Sequence, residues 1–331
     1  MFKNIRFFRL EEPLELDAEA LEARLATRRF RPCGPLETSN LGWCPPTGDE
    51  GAALVHGANG CMLLAVRRQE RLLPATVVAE ALDERVAEIE GAEVRSLGRA
   101  ERRRLREQIL AEMLPRAFLR SRRVFAYLDT VAGWLVVDAA SDKGAEEVVS
   151  LLREMLGSLP AIPPRPARPV AQLLTRWVEG GDLPEGFSLG QDCELRDPKD
   201  TQSVVRCRGQ DLAGEEIQTH LRAGKQVVKL ALEWGEHLSL LLQEDLSLKR
   251  LRLADALLEE AAEADIEDPA ARLDAEFALT ALELRGLLEQ LQWIFDLSAP
   301  ESAPARSAAP QSVPPESSQA EPPRLIRANS R

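Results

Sequence analysis

RSLGRAERRRLREQILAEMLPRAFLRSRRVFAYLDTVAGWLVVD, residues 95–138, decides the fold because its periodicity changes partway along. From Glu101 to Met113 the apolar positions Leu105, Ile109 and Met113 recur at helical spacing. From Val124 to Leu128 the pattern is that of a strand, Asp129 to Gly133 reads as a turn, and Trp134 to Val137 returns antiparallel. A helix feeding directly into an antiparallel hairpin is an α+β signature. Upstream, Val78, Leu82, Val86 and Ile89 mark another helix, and Ser96-Leu-Gly98 breaks it from the next. Residues 75–121 therefore read as an αα-hairpin that projects from the body as a tip.

The same stretch is electrically odd. Between Arg95 and Arg123 lie ten arginines against three glutamates, a net charge of +7 inside a chain whose total is −12. A cationic region set in an anionic body suits an anionic ligand held in one place. Projected at 100° per residue, the helical arginines do not segregate. Arg102 and Arg106 fall beside the apolar stripe, Arg103 flanks it and Arg104 lies opposite. Arginine stems covering apolar surface would explain them equally well. Arg120 and Arg122 share one side of an extended segment, where they could equally guard an exposed strand edge.

Working outward, residues 4–10 read as a first strand and Asp17 as the cap of a helix reaching about Thr27. Gly42-Trp-Cys-Pro-Pro46 reads as a rigid turn. Gly57-Ala-Asn-Gly60, flanked by apolar runs, reads as a hairpin turn. Residues 1–74 and 122–169 are expected to build a central α+β domain, with an amphipathic helix from Lys143 to Leu156. Five prolines between 160 and 169 make a stiff boundary. Residues 170–253 form a second α+β part in which Lys225, Val227, Lys229 and Ala231 alternate onto one side of a strand. The order strand, turn, strand, then helix occurs around Gly133 and again around Gly235, which hints at duplication. In 254–297 acids outnumber bases twelve to two, giving an acidic helical segment packed on the core. Residues 298–331 are rich in Pro, Ser and Ala and are expected to be a disordered tail. The fold class is thus α+β, with antiparallel sheets, packed helices and a projecting helical hairpin.

Composition narrows the function classes. Aromatic residues make up 5 % of the chain, with one tyrosine, which disfavours a base-stacking platform for single strands. The five cysteines at 33, 44, 61, 193 and 207 never fall at Cys-x-x-Cys spacing, as expected for buried thiols in a reducing cytoplasm. Charges at 3, 6 and 9 break any signal-peptide core, and no run approaches the roughly 20 apolar residues of a membrane span. The three histidines, 56, 220 and 237, fall beside turns or on a helix, where hydrogen bonding is their usual role. Phosphate loops of the Gly-x-x-x-x-Gly-Lys and Gly-x-Gly-x-x-Gly types are absent. Asp129 and Asp138 have no evident third ligand for a metal. Neither catalysis, a cofactor nor a metal is expected.

Distributed along the chain are FRPCG (30–34), GWCPP (42–46), MLPRAF (113–118), DTVAG (129–133), VDAAS (137–141), LGSLP (156–160), QDL (210–212), Gly224-Lys225, KLAL (229–232), Trp234 and SLKR (247–250). In these segments, collinear to about residue 290, the chain resembles the recombination-associated protein RdgC family. The resemblance implies a nucleoid-associated protein of the cytoplasm that binds double-stranded DNA with little sequence preference. It also implies a ring-shaped homodimer with a basic central hole, and functional antagonism of the RecA recombinase on DNA. Phe118 matches a phenylalanine at a subunit contact of the tip, and Lys225 a basic position of the inner surface. The family pattern carries a basic pair before Gln210, where this chain has Arg208-Gly209.

On that basis Arg102, Arg103, Arg106, Arg116, Arg120, Arg122, Lys225 and Lys229 are the expected phosphate contacts, and Phe118 the dimer contact. Such contacts release counterions without reading base edges. Two other readings stand beside it. One is a protein-interaction module whose basic hairpin docks an acidic partner, and the other an enzyme acting on DNA ends.

Overall fold

A computed structural model describes residues 1–14, 16–254, 257 and 268–298. The tail expected at 298–331 lies outside these from residue 299 onward, as does most of the acidic stretch before Asp268. In chain order the elements begin with β1 (Ile5–Leu10), α1 (Ala18–Ala26), β2 (Ser39–Cys44), β3 (Val55–Ala58) and β4 (Cys61–Leu72). Next come α2 (Ala75–Glu93), α3 (Arg99–Met113), a 3-10 turn (Leu114–Arg116), β5 (Phe118–Asp129), β6 (Trp134–Asp138) and α4 (Asp142–Leu156). The short pieces β7 (Ala161–Ile162) and β8 (Arg165–Pro166) lead to α5 (Val170–Val178), β9 (Phe187–Arg196), β10 (Val204–Cys207) and α6 (Glu215–Arg222). The chain continues through β11 (Gln226–Trp234), β12 (Leu238–Gln243), β13 (Leu248–Leu253), α7 (Pro269–Phe295) and β14 (Leu297–Ser298).

The architecture is α+β. Twelve strands share one antiparallel sheet, ordered β10-β9-β11-β12-β13-β1-β6-β5-β4-β2, with β3 on β4 and β7 on β1. The order is palindromic. Hairpin β5–β6 and hairpin β11–β12 occupy matching places in two five-stranded halves that meet where Ile5 of β1 pairs Leu248 of β13. The turns of these hairpins hold Gly133 and Gly235, both at positive φ. The strand-turn-strand part of the expected repeat thus corresponds to repeated topology, but its helix does not: β6 runs on into α4, whereas β12 runs on into β13.

Alternation along β1 separates two apolar layers. Ile5 and Phe7 join Tyr127, Trp134 and Leu230 in one core, whereas Phe8 and Leu10 join Leu64, Leu128 and Val137 in the other. The first core lies under α5, α6 and α7 and runs across both halves of the sheet. Helix α7 supplies Phe277, Ala281, Leu284, Leu288, Leu291 and Phe295, a stripe at steps of three and four. Gly286 is required there, because a Cβ would come within 2.9 Å of the Trp234 ring. The second core lies under α1 and α4 and serves the first half alone. In α4, Ser141 Oγ accepts from Gly144 N at 3.2 Å and Gly157, at φ +76°, ends the helix. Its buried Val148, Val149, Leu151 and Leu152 are each worth about 2 kcal/mol of transfer free energy.

Local expectations hold where a short-range cause exists. Asp17 caps α1 through Ala20 N at 2.8 Å, and Asn59 and Gly60 take φ of +51° and +76° at the β3–β4 turn. Two segments differ from expectation. Gly42-Trp-Cys44 is strand, not turn, because Trp43 is fully buried and its backbone bonds Arg28 and Phe30. The strand expected from Val124 starts six residues earlier, at Phe118, since all twelve residues of β5 pair with β4 from Leu72↔Phe118 to Cys61↔Asp129. Continuous pairing overrides the loss of apolar alternation in its charged half.

The αα-hairpin grows from the end of this ladder. Its helices pack chiefly on each other. Only Val78, Val86 and Ile109 are buried within its two helices, with Leu114 buried in the 3-10 turn that follows. A pair of helices with so little apolar burial projects from the sheet and carries its charges on the surface.

Candidate functional site

The charged half of β5 alternates. Phe118, Arg120 and Arg122 fall on the side of Ala126 and Leu128, the side of the sheet that α4 covers. Leu119, Ser121 and Arg123 fall on the other. Across the ladder Leu72, Glu70 and Arg68 stand opposite Phe118, Arg120 and Arg122. Arg120 Nε donates to Glu70 Oε1 at 2.8 Å, and this bond is the main reason the Glu70 carboxyl is held below its ordinary range. Arg68 Nη1 donates to Glu147 of α4 at 2.5 Å, which leaves Arg122 facing a cation whose charge is already met. Arg122 is exposed and has no ion-pair or hydrogen-bond partner among the described residues.

Phe118 is the outlier of the strand. It is 82 % exposed, and Leu119 and Leu72 beside and opposite it are 47 % and 43 % exposed. Arg116, in the 3-10 turn just before, is exposed and unpaired among the described residues. An apolar patch ringed by arginines therefore closes the join between hairpin and sheet.

Within the hairpin the arginines behave differently from one another. Arg102 reaches across to Glu90 at 3.0 Å and Arg103 pairs with Glu107 one turn on at 3.4 Å. Arg106 is exposed without a partner among the described residues. No single face collects them, as the helical projection implies.

Lys225 and Lys229 sit in the other half, and the expected shared side does not materialise. The ladder of β11 with β9 shifts register between Val227 and Lys229, so Val228 is an extra, bulged residue. The bulge reverses the alternation. Lys225 has the parity of fully buried Val227, whereas Lys229 turns to the opposite face from buried Leu230. Lys225 Nζ donates to Ser203 Oγ at 2.6 Å. Lys229 pairs with Glu194 Oε1 at 3.0 Å and Arg206 with Glu194 Oε2 at 2.8 Å. Burial acts to raise the Glu194 carboxyl, but the hydrogen bonds from Arg206 and Lys229 outweigh it and hold the group low.

Among the described residues, no helix or strand covers the face of this second half opposite its helices. Arg250 pairs there with Asp192 at 2.8 Å. A shallow depression of about 370 Å³ is bounded by Arg206, Arg208, Lys229 and Arg250. Sequence reasoning missed Arg68, Arg206 and Arg250 as neighbours of the named residues. The run RRQER at 67–71, continued as a strand from the apolar residues before it, carries the signal for Arg68. Arg206 and Arg250 become neighbours only through pairing between distant strands.

On this side of the continuous sheet lie Arg122 and Arg120 in one half and Lys229, Arg206 and Arg250 in the other. On the opposite side lies α7, whose exposed and half-exposed positions include Asp274, Glu276, Glu283 and Glu289. From β5 to β11 is five strand steps, roughly 24 Å at the usual spacing. Asp129 and Asp138, weighed above as metal ligands, are otherwise engaged. Asp129 binds Arg285, and Asp138 Oδ1 accepts from Lys3 N and Asn4 N. Among the described residues no three His, Cys, Asp or Glu side chains converge as a metal site would need. No helix among them is long and apolar enough to cross a membrane.

Comparison with known proteins gives this arrangement a context. A family model described as "Putative exonuclease, RdgC" matches residues 1–298. The recombination-associated protein RdgC of Halorhodospira halophila is 43 % identical over 300 residues, covering 90 % of this chain and 99 % of that protein. The proteins of the same name from Aeromonas hydrophila and Tolumonas auensis are each 42 % identical over 290 residues, covering 88 % of this chain and 96 % of theirs. The family model's description names a nuclease, and the relatives' names do not. The match spans the whole described sheet, the helical hairpin and the arginine-ringed Phe118, and the chain belongs to the RdgC family of recombination-associated proteins.

Proposed function

We propose that this chain binds double-stranded DNA without strong sequence preference, as a homodimer that closes around the duplex in the nucleoid and limits the action of RecA there. Arg120 and Arg122 in one half and Lys229, Arg206 and Arg250 in the other lie on one side of a long sheet, and α7 with its exposed acids lies on the other. A ligand reaching both Arg122 and Lys229 must extend roughly 24 Å, the scale of a polymer. Phosphate contacts alone supply affinity with little base discrimination. Arg102, Arg103, Arg106, Arg116, Arg120, Arg122 and Lys229 are the proposed contacts. Lys225 has the parity of buried Val227 and is not counted with them on this side. The acidic α7 repels the backbone from the wrong side. Residues 75–121 act as the tip.

The observation that carries the dimer is Phe118, an aromatic side chain 82 % exposed on a charged strand. Apolar anchors of this kind are what a second copy buries at a subunit contact. Closure at the tip would bring Arg116, Arg120 and Arg122 of both copies around one duplex. The affinity for a blunt duplex should fall with salt at about 0.9 log units per log unit for each phosphate neutralised. Exchanging Arg120 and Arg122 for Glu should abolish binding. A salt slope near zero, or unchanged binding by that variant, would favour instead a module that docks an acidic protein.

A further inference from the structure

Arg67 on β4 and Arg123 on β5 stand directly opposite each other in the ladder, on the side away from Arg68 and Arg122. Two like charges in direct register destabilise a sheet unless something of opposite charge lies between them. Here a third cation joins them. Arg29 enters from the segment that bridges β2, and Arg29, Phe30, Gly48, Glu50, Arg67 and Arg123 line a cavity of about 280 Å³.

Each guanidinium is held in place without being neutralised. Arg29 donates to the carbonyl oxygens of Glu50 and Ala52. Arg123 donates to Pro46 O at 3.0 Å. Arg67 lies over the Phe30 ring, 4.8 Å from its centroid. The nearest carboxylate, Glu50, is 3.9 Å from Arg67 and 93 % exposed, so solvent screens most of its effect. Elsewhere on the chain Arg68, Arg102 and Arg120 each have a carboxylate within hydrogen-bond reach. Gly48 completes the cradle. Its φ is +91°, and a Cβ there would sit 2.8 Å from Arg123 Nη2.

We propose that this cavity binds a phosphate monoester, with Arg29, Arg67 and Arg123 as its donors. Fork-shaped guanidinium groups pair with phosphate oxygens in bidentate fashion. The volume takes a phosphoryl group with little more than its sugar. A duplex cannot enter, and the site lies on the other side of the ladder from the proposed duplex contacts, so it stands independently of them. A free nucleotide and the 5′-phosphate of a strand end offer the same chemistry.

Titration calorimetry on the full chain should use adenosine 5′-monophosphate and a short single strand with and without its 5′-phosphate. Saturable binding with Kd at or below about 1 mM is expected for at least one phosphate-bearing probe. A response to the mononucleotide marks the free nucleotide as the source, and a response to the phosphorylated strand alone marks the strand end. Arg67→Gln and Arg123→Gln should each weaken that binding about tenfold or more, while affinity for a duplex lacking terminal phosphate stays the same. Equal binding of phosphorylated and unphosphorylated strands with no response to the mononucleotide overturns the proposal, as does binding untouched by either variant. Should a variant fail to fold, phenylglyoxal modification of the unaltered chain decides. The bound probe must protect Arg67 and Arg123, and modification at the unprotected rate refutes the site.

Discussion

Arg285 of α7 grips Asp129 at the end of β5 with two bonds, Nε to Oδ2 at 2.7 Å and Nη2 to Oδ1 at 3.1 Å. Asp129 is 1 % exposed, and its Oδ1 also accepts from Val131 N and Ala132 N in the turn to β6. Arg285 Nη2 reaches Asn59 O at 3.0 Å as well, so one side chain ties α7 to two neighbouring hairpin turns. Removing one partner of a buried pair strands the other charge and typically costs about 3–5 kcal/mol. Arg285→Ala should therefore lower the unfolding free energy by an amount in that range, read from the fall in the denaturant midpoint at unchanged m. A loss under about 1 kcal/mol in urea unfolding would show that the pair contributes only as a surface bridge does.

Glu70 restrains Arg120 at neutral pH, since it stays ionised and bonded to that guanidinium. Arg120 must surrender that bond, at least in part, to meet a phosphate. Glu70→Gln removes the competing charge. Duplex affinity should rise about threefold to tenfold and the salt slope should steepen, by up to about 0.9. An unchanged affinity, measured by fluorescence anisotropy at fixed salt, would mean that Arg120 takes no part in binding.

Much of this architecture was legible because its causes are local. The cap at Asp17, the Asn59-Gly60 turn and the amphipathic α4 each follow from a few adjacent residues. The charged half of β5 was not legible as strand. Its pairing is set by β4, 50 residues away at Arg120↔Glu70, and not by its own pattern. Lys225 and Lys229 show the same limit. A bulge is a property of the β9–β11 pair, so alternation read from β11 alone put both lysines on one side. The arginines could be named from charge density. Which of them are already paired depends on Glu90, Glu107 and Glu70, two of which come from other elements of the fold.

Phe118 should matter to association and not to folding. It is 82 % exposed, so Phe118→Glu loses almost no buried surface in one subunit. Its thermal midpoint at low concentration should match the parent's. In the proposed dimer the same change places a charge in an apolar contact and should cost about 2 kcal/mol or more, roughly thirtyfold in the dimer dissociation constant. Analytical ultracentrifugation across a dilution series reads this directly. A parent that is monomeric at every concentration would remove the encircling dimer altogether.

Acid should destabilise the chain in a defined window. Glu37 accepts from Arg31 and from Gly34 N, which lowers its carboxyl from 4.5 to about 2. Glu90 and Glu101 are lowered by the same kind of bonds, from Leu97 N and Arg102 and from Arg95 and Gly98 N respectively. A carboxyl depressed in the folded state contributes stability that is complete above its unfolded value and lost as pH falls toward its folded one. The thermal midpoint should accordingly be level from about pH 8 to about pH 5 and fall below 4.5, the ordinary glutamate value. Glu37→Gln should lower the neutral plateau slightly and make the acid decline shallower, because the variant has no proton to take up there. If the decline keeps its full steepness in Glu37→Gln, the Arg31–Glu37 bond is formed equally in the unfolded chain. The acid sensitivity would then be traced to Asp192, Glu194 and Asp245, whose carboxyls are also held low.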